Sequence, residues 1–449
     1  MHIQDLASKI IDKPGETFKV HRSLYTDPEL FELEIKHIWE GTWVFIAHES
    51  QIPKPNDYLT TVIGRQPVII SRGADGKLRG FINACSHRGT MICRKPRGSA
   101  KLWVCPYHAW TYNNQGKLIG IKQESNGGYP EHWSKDQYGL TPVPHVESYH
   151  GFIFASLNAD VPDIETHLAG AAKFVELFSR QSPDGLEVLR GHSVYTHRGN
   201  WKMQAENGVD GYHPDIVHAS YFRLAHERAK KAAAGGTVDD VKAVQVDPEN
   251  SLHGVYDLGN GHVMMWTDVP NFRDRPLGMQ YDALVEREGE VRAKWMAGRV
   301  RQIMLYPNVV LFDGISTQLR SWRPIAADQT EVHAYCVAPK GEPEAARERR
   351  IRQYEDFYGA SGIATPDDLT EFDACQSGYL GRNAEWQDFD RGMARRIIGA
   401  DEPAREIGAT PVVSAPDVTD ETHYHGEYRQ WLKLMTEGVL RSQAQSHVA

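Results

Sequence analysis

Two short segments, each with a cysteine followed closely by a histidine, constrain the fold of this chain more than any other feature. Cys85-x-His87 is followed after seventeen residues by Cys105-x₂-His108. Each segment ends a strand-like run and enters a loop, so the pattern predicts a small β module whose two loops bring these side chains together. Two thiols and two imidazoles at one point predict a metal site.

The donor chemistry distinguishes two kinds of metal site. Two Cys and two His suit a structural zinc ion. Zinc fingers, however, usually pair Cys with Cys and His with His, whereas each segment here supplies one of each. A Rieske [2Fe–2S] cluster has one iron bound by two thiolates and one bound by two imidazoles, so the spacing favours this cluster. The other cysteines are predicted to be buried, unbonded thiols: Cys93, Cys336 and Cys375. For Cys93, six residues after His87, an extra metal ligand is the alternative.

A second group of metal-binding side chains lies between Glu206 and His218, where two histidines and three carboxylates fall within thirteen residues. On an unbroken helix His213 and His218 would point in different directions. Pro214 should break the helix and keep His213 out of the α conformation, so that both imidazoles turn toward one point. Two histidines and a distant carboxylate would make the facial triad of non-haem iron oxygenases. For this segment alone, a histidine pair at a helix bend, bonded to neighbouring carboxylates, is the alternative.

The two predicted sites complement each other chemically. Oxygen activation at iron consumes electrons one at a time, and an iron–sulfur cluster delivers them one at a time. A simple electron carrier needs only the cluster. The second site therefore favours an oxygenase over a carrier.

The charged residues exclude some partners. The chain has 449 residues, and its 50 basic and 59 acidic side chains are scattered, with a net charge of −9. Such a chain lacks the basic stripe that binds phosphates. We find neither a signal peptide nor eighteen consecutive apolar residues. We therefore expect a cytoplasmic protein that binds neither nucleic acid nor membranes.

The hydrophobic pattern changes along the chain and predicts an α+β protein. Residues 1–42 should form an N-terminal helical segment that packs on the catalytic domain. Its helix is predicted to begin at Asp27-Pro28. Residues 43–157 consist of short β-branched and aromatic runs between turn signals, which predicts a small all-β Rieske domain. Residues 158–449 mix helical stretches with runs such as HVMMW and TEVHAYCVA, which predicts a larger α+β domain with a central antiparallel sheet. The segment Arg228 to Asp240 is predicted to be a mobile loop.

With these motifs the sequence resembles the large (alpha) subunits of Rieske non-haem iron aromatic-ring-hydroxylating dioxygenases. The four Cys and His residues match the family's cluster pattern. Glu206, Asp210, His213 and His218 match its Asp/Glu-x₃-Asp-x₂-His-x₄-His pattern. The likeness covers nearly the whole chain and is strongest toward the benzoate, toluate and anthranilate 1,2-dioxygenases. Stretches that carry it include INACSHRG, GNWKMQAENGVDGYH and SGIATPDDL.

The resemblance implies a site and an assembly. A [2Fe–2S] cluster would be bound by Cys85, His87, Cys105 and His108, and a mononuclear Fe(II) by His213, His218 and Asp368. Asp368 is implied rather than Asp367 because the family's third ligand is the second aspartate of such a pair. Three copies of the chain would assemble with three small beta subunits. In that trimer Asp210 would not bind iron but would link His213 to His108 of the partner subunit.

The implied reaction is the NADH-dependent cis-dihydroxylation of a small, benzoate-like aromatic acid with O₂. Electrons would come from NADH through a separate reductase carrying FAD and a [2Fe–2S] cluster. The substrate pocket is expected to be built from residues after His218 and from the strands near Met264, Trp266 and Leu311. Three alternatives remain: a Rieske monooxygenase or demethylase, a non-catalytic Rieske electron-transfer protein, and a zinc-structured binding protein.

Overall fold

The computed structural model describes residues 3–233 and 250–446. The chain forms two compact units: residues 35–164 form one, and the residues before and after them form the other. The sequence predicted boundaries after residues 42 and 157. The two compact units divide after residues 34 and 164. Among the described residues, no helix is long and apolar enough to cross a membrane.

The unit of residues 35–164 is built from three small antiparallel sheets. One has four strands, in the spatial order Leu78–Ile82, Gln66–Arg72, Asp57–Ile63 and Arg97–Ser99. The others have three strands each: Leu118–Gly120, Thr111–Asn113 and Leu102–Val104 in one, and His145–Tyr149, Phe152–Ser156 and Val44–His48 in the other. A buried core joins aromatic side chains to two of the predicted ligands: Phe81, Trp103, Trp110, Tyr112, Cys85 and Cys105.

The larger unit is organised around a nine-stranded antiparallel sheet. Its strands follow the spatial order Leu186–Arg198, Gln329–Pro339, Thr317–Ala326, Val309–Asp313, Arg299–Leu305, His262–Asp268, His253–Gly259, Val413–Ala415 and Ile397–Ile398. Strands Ile10–Lys13, Thr17–His21 and Trp386–Asp388 form a further small sheet. The predicted α+β architecture with a central antiparallel sheet is confirmed.

The α-helices of the described chain vary in length from a single turn to six turns. They span Ile3–Ala7, Pro28–Glu34, Ile164–Leu168, Ala171–Ser179, Lys202–Asn207, Pro214–Val217, Ala219–Ala233, Tyr281–Glu288, Glu290–Ala293, Glu344–Gln353, Thr365–Gly378, Glu402–Glu406 and Tyr424–Ser446. The helix predicted at Asp27-Pro28 is present, and the Asp27 carboxylate accepts from the N–H of Glu29 at 2.8 Å. This bond satisfies a backbone donor of the first turn.

The predicted loop at Arg228 to Asp240 is wrong for its first residues, because the helix Ala219–Ala233 continues through them. Alanine and lysine are good helix formers, and the Lys230 Nζ lies 3.1 Å from a Glu227 carboxylate oxygen one turn earlier. Residues 234–240 lie outside the described part of the chain.

Glu34 anchors the N-terminal residues within the larger unit. Its carboxylate lies 2.5 Å from Nζ of Lys202, and both side chains are buried. The indoles of Trp201 and Trp431 donate to the same carboxylate at 2.8 and 2.6 Å. A buried ion pair is tolerated only when its remaining donors and acceptors are satisfied, as they are around Glu34.

Candidate metal centres

The two Cys/His loops have the same backbone geometry. In loop 85–90 the N–H of Cys85 donates to the carbonyl of Thr90 at 2.9 Å. The N–H of Gly89, the fifth residue, donates to the carbonyl of Cys85 at 2.8 Å. Loop 105–110 repeats both bonds, at 2.8 and 3.0 Å. The fifth residues, Gly89 and Ala109, have φ angles of +70° and +60°. Two loops of one design thus present the four predicted ligands.

Thiols and imidazoles differ in their exposure in these loops. Cys85 and Cys105 are buried, His87 is exposed, and His108 is half-buried. The two imidazole centroids are 4.6 Å apart. Buried thiols for one iron and imidazoles nearer the surface for the other fit a Rieske cluster.

Tyr112 adds a hydroxyl to the sulfur side of this site. Its oxygen lies 3.2 Å from Sγ of Cys85 and accepts a hydrogen bond from the Ser86 N–H at 3.1 Å. Because the backbone already donates to the oxygen, the phenol hydrogen is free to point at the sulfur. No sequence motif marks Tyr112 as part of this site.

The segment from Asn207 to His218 is shaped by a close approach to the central sheet. A Cβ on Gly208 would lie 2.5 Å from Cγ2 of Val310, so only glycine permits this contact. The helix Lys202–Asn207 ends there, and the one-turn helix Pro214–Val217 begins after a short loop. The expectation that Pro214 keeps His213 out of the α region is wrong, since His213 has φ −79° and ψ −27°. Pro214 occupies the first helical turn instead, where its missing N–H costs nothing.

Three ligand atoms converge in the larger unit. Nε2 of His213 and Nε2 of His218 are 3.3 Å apart, and Oδ1 of Asp368 lies 3.5 and 3.3 Å from them. Two ring nitrogens and a carboxylate oxygen at these distances are stabilised by a cation between them. Two histidines and one carboxylate suit Fe(II) and leave coordination positions open. The donor set therefore fits a mononuclear iron.

A second carboxylate lies behind each imidazole. Asp210 Oδ2 lies 3.2 Å from His213 Nδ1, within ion-pair distance but without a regular hydrogen bond. Asp367 Oδ2 lies 3.7 Å from His218 Nδ1. The side chain of Asp367 is 35% exposed, against 10% for Asp368. Asp368 thus faces the point where the ligand atoms converge, and Asp367 lies on the Nδ1 side of the His218 ring.

Glu206 belongs to a buried group of tyrosines rather than to the triad. The hydroxyls of Tyr25 and Tyr428 both donate to its carboxylate. Burial raises the pKa of Glu206 to about 7, although the two hydroxyls act in the opposite direction. For Asp210, burial raises the pKa, but His213 and the Tyr212 N–H outweigh it, and the net pKa is lowered.

Asn207 and Arg320 are polar residues at the triad that the sequence analysis missed. Nδ2 of Asn207 donates to Oδ1 of Asp368 at 3.2 Å and lies 3.4 Å from Nε2 of His213. Nη2 of Arg320 donates to Oδ1 of Asn207 at 3.2 Å. Arg320 lies 113 positions from Asn207, so only the fold brings the two together.

The register of the central sheet decides which side chains of the predicted pocket strands face the triad. Arg320 is directly opposite Val310 and shares its face, so Leu311 points to the other face. Met264 and Trp266 share the face of Leu311 through the register of the intervening strands. The side chains of Met264, Trp266 and Leu311 therefore point away from the face of Arg320, whereas Phe312, on the same strand as Leu311, lies on that face.

The residues after His218 do lie beside the triad. The rings of His218 and Tyr221 both pack against Phe357, at centroid distances of 5.5 and 4.7 Å.

Cys93 and Cys336 are buried thiols as expected, but Cys375 is exposed, so that prediction is wrong for Cys375.

Two family models match the chain. Residues 42–165 match a model described as "Rieske [2Fe-2S] domain". Residues 186–437, more than half of the chain, match "Ring hydroxylating alpha subunit (catalytic domain)".

Individual proteins are similar over nearly the whole length. Toluate 1,2-dioxygenase subunit alpha of Pseudomonas putida is 44% identical, covering 96% of this chain and 94% of the relative. The 2-halobenzoate 1,2-dioxygenase large subunit of Burkholderia cepacia is 43% identical, covering 95% and 91%. A solved structure of naphthalene 1,2-dioxygenase with indole in the active site has a TM-score of 0.80 at 27% identity, covering 94% and 93%.

Proposed function

The chain belongs to the family of ring-hydroxylating oxygenase alpha subunits, and on this premise we propose that it adds both atoms of O₂ to a small aromatic acid. The similar proteins are named as dioxygenases of toluate, 2-halobenzoate and anthranilate, all of which are benzoates. Two C–O bonds form on adjacent ring carbons and one ring double bond is lost. NADH and one further proton supply the two electrons and two protons. The product is a cis-dihydrodiol carboxylate.

The two donor sets would hold the cofactors of this family. The cluster ligands would be Cys85, His87, Cys105 and His108, and the iron ligands His213, His218 and Asp368. When bound, the cluster supplies single electrons and the iron supplies a site for dioxygen. The convergence of two imidazoles and one carboxylate within 3.3–3.5 Å is the observation that carries the proposal.

The surrounding residues hold these ligands in place. With iron bound, Asp210 and Asp367 would orient the imidazoles in front of them, as outer carboxylates do for metal-bound histidines. Asn207 donates to Asp368 and so holds its carboxylate toward the two rings.

Asp210 also completes an electron path across a subunit interface. In a trimer its carboxylate would bridge His213 and His108 of the partner subunit. Exposed apolar side chains support such an interface on both surfaces: Tyr212 and Ile216 beside Asp210, and Met91 and Tyr107 beside the cluster histidines. Exposed apolar residues grouped in this way typically mark contact surfaces.

We propose two protein partners, as the family resemblance implies. A reductase carrying flavin and a [2Fe–2S] cluster would convert the hydride of NADH into single electrons. A small beta subunit would complete an α₃β₃ assembly. We place the protein in the cytoplasm, where NADH is available to the reductase.

Oxygen uptake tests the proposed function. The purified protein with a matched reductase and NADH should consume oxygen with benzoate, toluates or anthranilate. With ¹⁸O₂, mass spectrometry should find two labelled atoms in one product molecule. A single labelled atom would indicate a monooxygenase, and absence of uptake with every aromatic acid would contradict the proposal.

A further inference from the structure

Arg320 is a buried cation without an anionic partner in the described part of the chain. The residue is 4% exposed, and no carboxylate oxygen of the described residues lies within 4.0 Å of its guanidinium. Its contacts are neutral: Nη2 donates to Asn207, and Cζ lies 4.5 Å from the ring centroid of Phe312. Nε is buried and has no hydrogen-bond partner.

Other buried arginines of the same unit do have a carboxylate. Nη2 of Arg301 lies 2.6 Å from Asp313, and Nη2 of Arg350 lies 2.8 Å from Glu342. An isolated buried charge is strongly unfavourable unless it is paired. Arg320 therefore requires an anion that does not come from the described chain.

The position of Arg320 indicates which anion this is. One side-chain amide, that of Asn207, separates the guanidinium from Asp368. Asp368 does not neutralise Arg320 when iron is bound, because the negative charge of a carboxylate ligand then offsets the positive charge of the metal. An anion bound by Arg320 would lie next to the iron, where a substrate must lie.

We propose that Arg320 binds the carboxylate of the aromatic substrate and thereby orients the ring beside the iron. This inference rests on the proposed function and names the residue that selects an acid over a neutral arene. The planar guanidinium presents its N–H groups in a fork that matches a carboxylate, and Nε is free to donate. The Phe312 ring on the same face supplies an apolar wall beside the charged group.

The test compares benzoate with benzamide, which has nearly the same shape and no charge. The variants are Arg320→Gln and Arg320→Lys. Arg323→Gln is the matched control, because Arg323 lies on the same strand, points to the opposite face and pairs with Glu331 at 2.6 Å. Iron content and Rieske absorption are measured for every variant, and benzoate binding to the oxidised protein is measured by calorimetry.

We expect Arg320→Gln to lower kcat/KM for benzoate by about 100-fold, mainly through KM, because a charged hydrogen-bonded partner is lost. Benzamide turnover should change less than about threefold, since an uncharged ligand loses only a neutral contact. Arg320→Lys should lose about 10-fold, because the charge remains without the fork. Calorimetry should rank benzoate affinity in the same order, and Arg323→Gln should leave the benzoate preference unchanged.

Two outcomes overturn the inference: equal losses for benzoate and benzamide, or no loss for benzoate. If Arg320→Gln fails to fold, Arg320→Lys decides by the same comparison. Failure of the wild type to oxidise any aromatic acid contradicts the proposed function itself. If benzoate is oxidised with the same kcat/KM in the wild type and in the Arg320 variants, only the role of Arg320 is contradicted.

Discussion

Asp367 Oδ2 lies 3.7 Å from Nδ1 of His218, on the opposite side of the imidazole from the nitrogen that faces Asp368. Replacing Asp368 by Ala removes one of three ligands, so iron affinity should fall by more than about 100-fold. Asp367→Ala removes only the outer carboxylate and should cost about 10-fold. Iron content after gel filtration checks both values, with Rieske absorption unchanged. Full occupancy in Asp368→Ala together with loss in Asp367→Ala would reverse the assignment.

The Tyr112 hydroxyl beside Cys85 should tune the reduction potential of the cluster. A donor to a ligand sulfur stabilises the reduced, more negative state, so Tyr112→Phe should lower the potential by tens of millivolts. Tyr58→Phe is a suitable control because Tyr58 lies in the same core. Redox titration followed by EPR measures both. An unchanged potential in Tyr112→Phe would show that the hydroxyl does not donate to the sulfur.

Asp210→Asn tests the electron path between subunits. Both metals should remain bound and the cluster should still be reduced, but its reoxidation during turnover should slow by orders of magnitude. Asp215→Asn is the control, since Asp215 is an exposed carboxylate of the same segment. Rapid mixing of reduced protein with oxygen and substrate gives the rate. A normal rate combined with weaker iron binding would mean that Asp210 only orients His213.

Glu206 should make stability depend on pH between about 4.5 and 7. Its pKa is about 7 in the fold against an ordinary value of 4.5, so the folded state holds this proton more tightly. Stability from this group is therefore lost as the pH rises through this window, by on the order of 3 kcal/mol. Glu206→Gln should remove that part of the pH dependence, whereas Glu348→Gln, at an exposed position, should not. Calorimetric unfolding from pH 5 to 8 compares the variants, and an unchanged profile in Glu206→Gln would contradict the shifted pKa.

Features encoded by neighbouring residues could be predicted from the sequence. The runs HVMMW and TEVHAYCVA are strands of the central sheet. HVMMW is buried on both faces, whereas TEVHAYCVA begins with alternating buried and partly exposed residues, and both patterns are typical of strands. The Cys/His loops follow from the same kind of local signal, since donor spacing within a loop fixes which ligands it offers.

Features that depend on distant contacts could not be predicted. Arg320 meets Asn207 only when a central strand and a helix end pack together. The strands near Met264 and Trp266 were expected at the pocket, but which of their side chains face it depends on strand register, and a single strand's sequence does not encode its register. At His213 a local rule failed, because ordinary helical geometry at Pro214 replaced the expected break.

The insertion of residues 35–164 into the larger unit has a consequence for biosynthesis. Tyr25 and Glu34 leave the ribosome early, but Glu206 follows Tyr25 by 181 residues and Trp431 follows Glu34 by 397. At ordinary rates of translation the first interval lasts roughly 10 to 40 s and the second about twice as long. The segment carrying both Cys/His loops is synthesised within this interval. The unit of residues 35–164 can therefore fold on a nascent chain whose larger unit still lacks residues that its core contacts require.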